Sequence, residues 1–217
     1  MKHIFLIAFL VTSMITFGQG YLVTADKPFV IDRVKDSGMQ GSLSRDRASG
    51  KLSSLELDYL YWVNHMRAQP WKFYSDYIEP FLLQFPEART DESVSLKAEL
   101  RMISSLPLLS INILLNGTSK EHANYLTERT TLSHTGKGGK GFRERMKDAG
   151  LNTCAGEVIY SGKDDALIAL ILLLIDHRVP DLGHRRALLN PEFLSTGVGI
   201  SYMKDGAAVY VQDFACK

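Results

Sequence analysis

The chain carries three short motifs in order, Leu132-Ser133-His134-Thr135-Gly136, then Ala155-Gly156-Glu157, then Gly183-His184-Arg185-Arg186. Two imidazoles and a carboxylate can together bind a divalent cation or move protons. Their spacing alone does not bring them together, because they lie in three separate segments. Taken singly, each is better interpreted as a hydrogen-bonded polar residue at a loop or strand edge.

Further motifs lie on both sides of these three. They are Asn64 with Arg67, Leu106-Pro107-Leu108 before a long helical pattern, Phe142-Arg143-Glu144-Arg145-Met146 leading into Gly150, Leu189-Asn190-Pro191, and Gly197-Val198-Gly199-Ile200. The whole succession resembles the CAP superfamily of cysteine-rich secretory, antigen 5 and pathogenesis-related 1 proteins, also called SCP domains, in its secreted bacterial form. The resemblance runs from near Leu57 to the C-terminus.

The resemblance implies an α+β fold, a single-domain α-β-α sandwich with a small central antiparallel sheet flanked by helices. It also implies that His134, Glu157 and His184 share one cleft. Many family members carry a second glutamate there, whereas residues 166–175 of this chain are apolar. Asp176 is the candidate substitute, so we expect the cleft to consist of His134, Glu157, His184 and Asp176.

The N-terminus has the composition of a secretory signal. Lys2 precedes an apolar stretch from Ile4 to Phe17, and Gly18-Gln19-Gly20 offers small residues for cleavage. We therefore expect residues 1–20 to be removed and the protein to be secreted, either extracellular or periplasmic. The apolar stretch is shorter than the roughly 20 residues of a spanning helix, so no stable membrane span is expected in the mature chain.

Composition excludes one class of partner. The 217 residues contain 25 Lys and Arg against 24 Asp and Glu, and the expected signal removes a single lysine. Lys and Arg form no basic stripe, which electrostatic binding of nucleic acid would need.

The pattern divides the mature chain into two parts. Residues 21–52 are rich in Ser, Gly and charged residues, which predicts a flexible N-terminal arm. Residues 53–217 form the predicted CAP domain. Within it we expect helices from Ser54, over 93–104, 110–129 and 142–149, and a buried apolar helix over 164–177. A strand is expected at 158–161, and a hairpin joins strands at 197–203 and 207–214 through Lys204-Asp205-Gly206.

Two cysteines, Cys154 and Cys216, lie next to predicted strands. An even count in an exported protein favours a disulfide, whereas pairing cannot be deduced from sequence and two free thiols remain the alternative.

Three hypotheses describe the cleft. His134, His184 and Glu157 would bind Zn²⁺ or another divalent cation. Alternatively, the polar residues shape a groove for a lipid or peptide ligand, or serve a structural or interaction module without a catalytic role. The third hypothesis is a protease-like or esterase-like hydrolase, with Ser133 as nucleophile beside His184 and Glu157. Ser133 lacks a nucleophile-elbow motif, so binding is the favoured function and no catalytic residue is assigned.

Overall fold

The computed structural model describes residues 27–216. The expected signal peptide, residues 1–20, lies outside the described residues. The helices are α1 Ser37–Arg45, α2 Ser54–Ala68, α3 Pro70–Phe73, α4 Glu79–Gln84, α5 Asp91–Met102, α6 Ile113–Leu126, α7 Phe142–Asp148, α8 Ala166–Ile175 and α9 Gly183–Leu188. A π-helical turn, Tyr74–Ile78, joins α3 to α4. Short 3-10 turns lie at Ser49–Lys51, Pro86–Ala88 and Lys137–Gly139.

The sheet has four strands, β1 Ser110–Ile111, β2 Ala155–Gly162, β3 Ser195–Tyr202 and β4 Ala208–Ala215, in the order β1-β3-β4-β2. The β2–β4 and β3–β4 pairs are antiparallel, and the two-residue β1 runs parallel to β3. Helices cover both faces of this sheet. The predicted α+β sandwich is therefore confirmed, with β1 as an addition that the sequence did not predict.

Side chains along β4 point alternately to the two faces of the sheet and so pack against different helical layers. Val209 and Val211 pack with α6, whereas Tyr210 and Phe214 belong to the larger core built with α2 and α8. This is the period of two expected of a strand buried on both faces. The apolar helix α8 is buried at every position except Leu172, as its continuous apolar run predicts.

Helix α6 lies directly on β3 because β3 carries glycines where the two backbones meet. A Cβ built on Gly197 would lie 2.1 Å from the backbone N of Asn116, and one on Gly199 would lie 2.4 Å from that of Lys120. The contact is completed by the buried amide of Asn116, which donates to the carbonyl of Val198 at 2.6 Å. The Gly197-Val198-Gly199 motif thus sets the distance between helix and sheet.

The Asn64 and Arg67 motif fixes α2 to the loops that follow. Asn64 exchanges two hydrogen bonds with the backbone of Leu109. The buried guanidinium of Arg67 donates to four backbone carbonyls, those of Pro107, Leu188, Asn190 and Phe193. A single side chain therefore satisfies the carbonyls of two loops far apart in sequence, which would otherwise be buried without partners.

Sequence and structure differ at several boundaries. Helix α2 begins at Ser54 as predicted, and Ser53 caps it through a reciprocal capping box with Glu56. The predicted helix over 110–129 begins only at Ile113, since Asn112 caps it and residues 110–111 pair with β3. β2 begins three residues before its predicted start and ends one residue after its predicted end. β3 begins two residues earlier and ends one residue earlier than predicted, and β4 is shifted by one residue toward the C-terminus.

The predicted arm, residues 21–52, packs on the domain in its described part. Phe29 is buried edge-on against Phe81 and Phe85, and Arg33 forms an ion pair with Asp165. Asp36 caps α1 through a hydrogen bond to the backbone of Met39. The composition of the segment predicted a flexible arm because it averages over all residues. One buried aromatic ring and a few specific polar contacts are enough to pack the segment on the domain. The division of the chain between residues 52 and 53 stays a prediction.

Cys154 and Cys216 form a disulfide, which confirms the predicted pairing. The bond links the residues flanking the start of β2 and the end of β4. The chain-entropy model gives a stabilisation of roughly 4 kcal/mol for a closed loop of this length. None of the helices within residues 27–216 is long and apolar enough to span a membrane.

We predict that Gly197→Ala lowers the free energy of unfolding by about 3 kcal/mol or more. The added methyl group would clash with the backbone of α6, which cannot move aside by changing a rotamer as a side chain can. Gly117→Ala is the matched control in α6, where an added Cβ meets nothing within 4 Å. It should be neutral or stabilise by up to about 1 kcal/mol through helix propensity. Urea denaturation measures both, and a cost below about 1 kcal/mol for Gly197→Ala would show that α6 does not rest on β3 as described.

Candidate functional site

A buried carboxylate, Glu157 on β2, lies at the centre of a polar cluster beneath α6 and α7. Its side chain is 1% exposed. Nδ1 of His134 lies 2.8 Å from its Oε1, and Nη2 of Arg145 donates to its Oε2 at 2.5 Å. Nε2 of His122 lies 3.9 Å from the same Oε2. Three elements, α6, α7 and the loop before α7, therefore meet on one carboxylate.

The cluster keeps Glu157 ionised. Burial alone would raise the pKa of Glu157, but the hydrogen bond from His134 and the positive charge of Arg145 outweigh it, so the pKa lies below its usual range. A buried charge is tolerated only with such compensation. The Glu157 carboxylate thus holds Arg145 and orients His134.

His134 presents its imidazole to solvent, with half of the side chain exposed. Nδ1 is held by Glu157, and Nε2 has no hydrogen-bond partner within residues 27–216. The neighbouring Ser133 hydroxyl accepts a hydrogen bond from the backbone N–H of Thr135 at 3.0 Å, which is a loop-stabilising contact. No hydrogen bond in the described chain joins this hydroxyl to an imidazole.

His122 and Arg145 also belong to the cluster, which the sequence motifs did not predict. The His122 side chain is 1% exposed, and its Nε2 lies 2.9 Å from the carbonyl oxygen of Ser133. Burial lowers the pKa of His122, while the charge of Glu157 partly opposes that shift. His122 lies on α6, where helical periodicity alone does not separate a cluster residue from a packing residue. The residues before Gly150 matched the family pattern but gave no sign that Arg145 would reach Glu157.

A second carboxylate lies opposite the first. Asp213 of β4 is the cross-strand partner of Glu157, is fully buried, and lies 2.7 Å from the hydroxyl of Thr118. Burial raises the pKa of Asp213 well above its ordinary value, and the negative charge of Glu157 adds to the rise. Two carboxylates facing each other in a buried sheet do not both ionise readily, so the surroundings of Asp213 favour its protonated form. In the sequence, Asp213 is recognisable as an acidic residue within the mostly apolar run 207–215, and this was the signal that could have identified it.

His184 lies at the first turn of α9, next to Asp176. Its Nδ1 lies 2.7 Å from Asp176 Oδ1, and the backbone N–H groups of His184 and Arg185 donate to Oδ2. Asp176 ends α8 in the left-handed conformation and is buried. The structure thus brings Asp176 to His184 and Glu157 to His134. No hydrogen bond or ion pair of the described residues links one pair to the other, and a single cleft with all four stays a prediction.

The atoms expected to bind a cation already have protein partners in this arrangement. Arg145 and His134 occupy one oxygen each of Glu157, and Asp176 occupies Nδ1 of His184. Within residues 27–216, the atoms of His134, Glu157 and His184 do not come together as a set of three that could share one ion. As arranged, these side chains do not fit a zinc site, because a guanidinium stands where the cation would need the carboxylate. Zinc binding itself stays a prediction.

A sequence profile described as CAP, the cysteine-rich secretory protein family, matches residues 95–214. The chain belongs to the CAP family. The matched region contains His134, Glu157, Asp176 and His184, and ends two residues before the second cysteine of the disulfide. The resemblance stated from the motifs is confirmed. Comparison with curated proteins gave no match.

Solved structures with a similar fold include three of different origin. An extracellular protein containing an SCP domain from Bacillus anthracis strain Ames is 25% identical, with a TM-score of 0.43 over 58% of this chain and 38% of that one. An outer surface protein from Borrelia burgdorferi is 24% identical, with a TM-score of 0.44 over 56% of this chain and 84% of that one. Venom allergen-like protein 4 from Schistosoma mansoni is 12% identical, with a TM-score of 0.43 over 76% and 89%. The chain thus spans well under half of the Bacillus protein's length.

We predict that Asp213→Asn raises the free energy of unfolding at pH 7 by about 1 kcal/mol or more. The native state holds the proton on Asp213 while the unfolded chain releases it, so the wild-type protein loses stability as pH rises above the unfolded pKa of about 3.9. The asparagine carries no such proton, and its advantage should vanish at about pH 3.

Urea denaturation between pH 3 and pH 8 measures this difference, with the exposed Asp32→Asn variant as control. Asp32 should show no pH-dependent gain, since it has no hydrogen bond or ion pair in the described chain. A destabilising effect of Asp213→Asn at pH 7 would mean that the native carboxyl group is ionised.

Proposed function

We propose that this chain is an exported CAP-domain protein that binds a ligand at the His134 and Glu157 cluster and performs no catalytic step. The observation that carries the proposal is the His134 imidazole, which is half exposed and is oriented by a buried carboxylate. Nε2 of His134 has no protein partner in the described chain and belongs to a half-exposed side chain, so we take it as available to a hydrogen-bonding ligand. The ligand classes we retain are a divalent cation, a lipid and a peptide.

The surroundings of Ser133 favour binding over hydrolysis. A serine nucleophile needs a general base within hydrogen-bond reach, and the Ser133 hydroxyl is instead engaged by the backbone of Thr135. Glu157 pairs with Arg145 and His134, whereas His184, the imidazole of the hydrolase hypothesis, pairs with Asp176. These contacts support a recognition role for the cluster.

The charge of Arg145 favours an organic ligand over a cation. Zinc at Glu157 would have to displace a hydrogen-bonded guanidinium from a buried carboxylate, which leaves Arg145 without its partner. Only a weak site, with His134 as its main ligand, is compatible with the contacts. Such binding would compete with protonation of the imidazole, since protonated imidazole does not coordinate metal.

Export is supported by the sequence and by one structural feature. Lys2 and the apolar residues after it form a signal-like N-terminus, and the Cys154–Cys216 disulfide suits an oxidising compartment. We therefore propose that the mature chain acts outside the cytoplasm.

We expect a ligand of this cluster to raise the melting temperature of the mature protein. Binding at 100 times Kd stabilises the native state by about 2.7 kcal/mol. A thermal-shift panel should contain Zn²⁺, long-chain fatty acids and lysophospholipids, and peptides blocked at both termini, with a chromogenic ester assay in parallel. We expect at least one ligand to raise the melting temperature of the wild-type protein. His134→Ala should abolish this rise, and His177→Gln should retain it.

His177 is the matched control because its imidazole is paired with another carboxylate, Glu92, away from the cluster. His184→Ala reports whether the second histidine shares the site. Ester hydrolysis that depends on His134 and Ser133 would overturn the proposal in favour of the hydrolase. No shift with any member of the panel would favour the structural module.

A further inference from the structure

The disulfide lies at the surface of the domain, and a carboxylate lies beside it. Cys154 and Glu192 are exposed, and Cys216 is half-buried, so a small reductant can reach the bond. The two sulfur atoms and a carboxylate oxygen of Glu192 all lie within 4.8 Å of one another. Thiolates and a carboxylate are ligands that zinc accepts, so breaking the S–S bond would leave a set of zinc ligands at one place.

Backbone contacts hold the two cysteines together independently of the disulfide. The backbone N–H of Cys216 donates to the carbonyl of Cys154 at 3.0 Å. The neighbouring pair, Ala155 and Ala215, opens the antiparallel ladder of β2 and β4. The sheet therefore keeps the Cα atoms of the two cysteines close to their separation of 5.5 Å when the bond between the sulfur atoms is broken.

Glu192 is brought to the same edge of the sheet by the turn before β3. The next residue, Phe193, is buried, and its ring stacks on that of Phe214 in β4 with the centroids 5.2 Å apart. The backbone N–H of Leu194 donates to the carbonyl of Ala215 at 3.0 Å. These contacts fix the turn against the end of β4, next to the cysteine that follows it.

The Glu192 carboxylate has no competing partner, unlike that of Glu157. Within residues 27–216 it forms no hydrogen bond or ion pair, and the backbone N–H of Glu192 donates to the side chain of Asn190. Glu157, by contrast, holds the guanidinium of Arg145. In a tetrahedral zinc site the ligand atoms lie about 3.3–3.8 Å apart, so rotations of the three exposed or half-buried side chains would bring their atoms to this spacing.

We propose that a dithiol reductant converts this disulfide into a metal site, in which Cys154, Cys216 and Glu192 bind Zn²⁺. In the first step the dithiol is oxidised to its own disulfide, and its two electrons and two protons pass to the cysteine sulfurs as the S–S bond breaks. In the second step Zn²⁺ binds, and the two thiols release their protons to solvent. Three protein ligands leave the fourth position of a tetrahedral ion to water.

The bound ion takes over the role of the disulfide, because it links the start of β2 to the end of β4. This site shares no side chain with the His134 cluster. The oxidised protein lacks the site, since both sulfur atoms are then bonded to each other.

The test uses Co²⁺ in place of Zn²⁺, because Co²⁺ gives an intense near-ultraviolet charge-transfer band when a thiolate binds it. The mature protein is reduced with dithiothreitol and desalted without oxygen. We expect the band to reach its maximum at one Co²⁺ per chain, to disappear on addition of Zn²⁺, and to be absent from the oxidised protein. His134→Ala should leave the band unchanged, which separates this site from the proposed ligand site.

Glu192→Gln should weaken Co²⁺ binding about tenfold or more, since changing even a residue that only orients a metal ligand costs about that much. Glu128→Gln is the matched control. It changes an exposed glutamate after the C-terminal end of α6, whereas the N-terminal part of that helix contacts the end of β4 through Leu115 and Ala215. This variant should bind Co²⁺ as the wild-type protein does.

Reduction removes a covalent link, so near-ultraviolet circular dichroism follows folding in the same samples. If the reduced chain loses its native spectrum, Zn²⁺ should restore it in the wild-type protein and not in Cys154→Ser. The proposal is overturned by the absence of a thiolate band, or by a band from a chain whose native spectrum does not return. It is also overturned by equal Co²⁺ affinity in Glu192→Gln and wild type, or by one ion per two chains, since the ligands would then be the thiolates alone or would come from different molecules.

Discussion

The buried charge of Glu157 is the constraint on which this site depends. A carboxylate on the inner face of a sheet must be neutralised, and Arg145 and His134 supply the compensation. Because these partners come from α7 and the loop before it, the carboxylate fixes where both segments lie. The position of the Arg145 guanidinium and the orientation of the half-exposed His134 imidazole both follow from their hydrogen bonds to this carboxylate.

The scaffold around the carboxylate is rigid for independent reasons. Helix α6 brings His122 and Thr118 to the sheet because Gly197 and Gly199 allow backbone contact with β3. The antiparallel register of β2 and β4 places Asp213 opposite Glu157, and the Cys154–Cys216 bond closes the ends of both strands. The raised pKa of Asp213 favours its protonated form, which limits the cost of the facing carboxylates. Stability at this sheet is therefore reduced where the site is built, a common property of functional positions.

His184, the second histidine, is also held by a single buried carboxylate. Asp176 accepts from the backbone at the start of α9 and from the His184 imidazole, so the same carboxylate orients the helix and the side chain. Arg185, the next residue, donates to the carbonyls of Leu174, Ile175 and Glu92. The Gly183-His184-Arg185 motif thus has a structural role as well as a candidate functional one.

Sequence reasoning predicted most of the fold because its signals were local. The apolar run of α8, the Asp205-Gly206 hairpin and the motifs Asn64 with Arg67 and Gly197 to Ile200 each fixed an element or a contact. The pairing of His134 with Glu157 came only from the family resemblance. Arg145, His122 and Asp213 were missed because their roles depend on which side chains meet across α6, α7 and the sheet. The spacing of residues along the chain does not predict these side-chain contacts between separate elements.

The docking of residues 29–52 was missed for a related reason. Composition averages over a segment, whereas one buried Phe29 and one ion pair from Arg33 decide whether it packs. Asp176 was predicted from its position alone to replace a family glutamate, and this stays a prediction; in the structure its partner is the His184 imidazole.

The most direct test of the account is a double-mutant cycle of Glu157→Gln and Arg145→Met, measured by urea denaturation at pH 7. Each single change should lower the free energy of unfolding by about 3 kcal/mol or more, since it leaves a buried charge unpaired. The double variant should lose at least about 1 kcal/mol less than the sum of the two. The exposed pair Lys140 and Asp148, in the same region, should show a coupling below about 1 kcal/mol. Additivity within about 0.5 kcal/mol for Glu157 and Arg145 would contradict the claim that this buried ion pair organises the site.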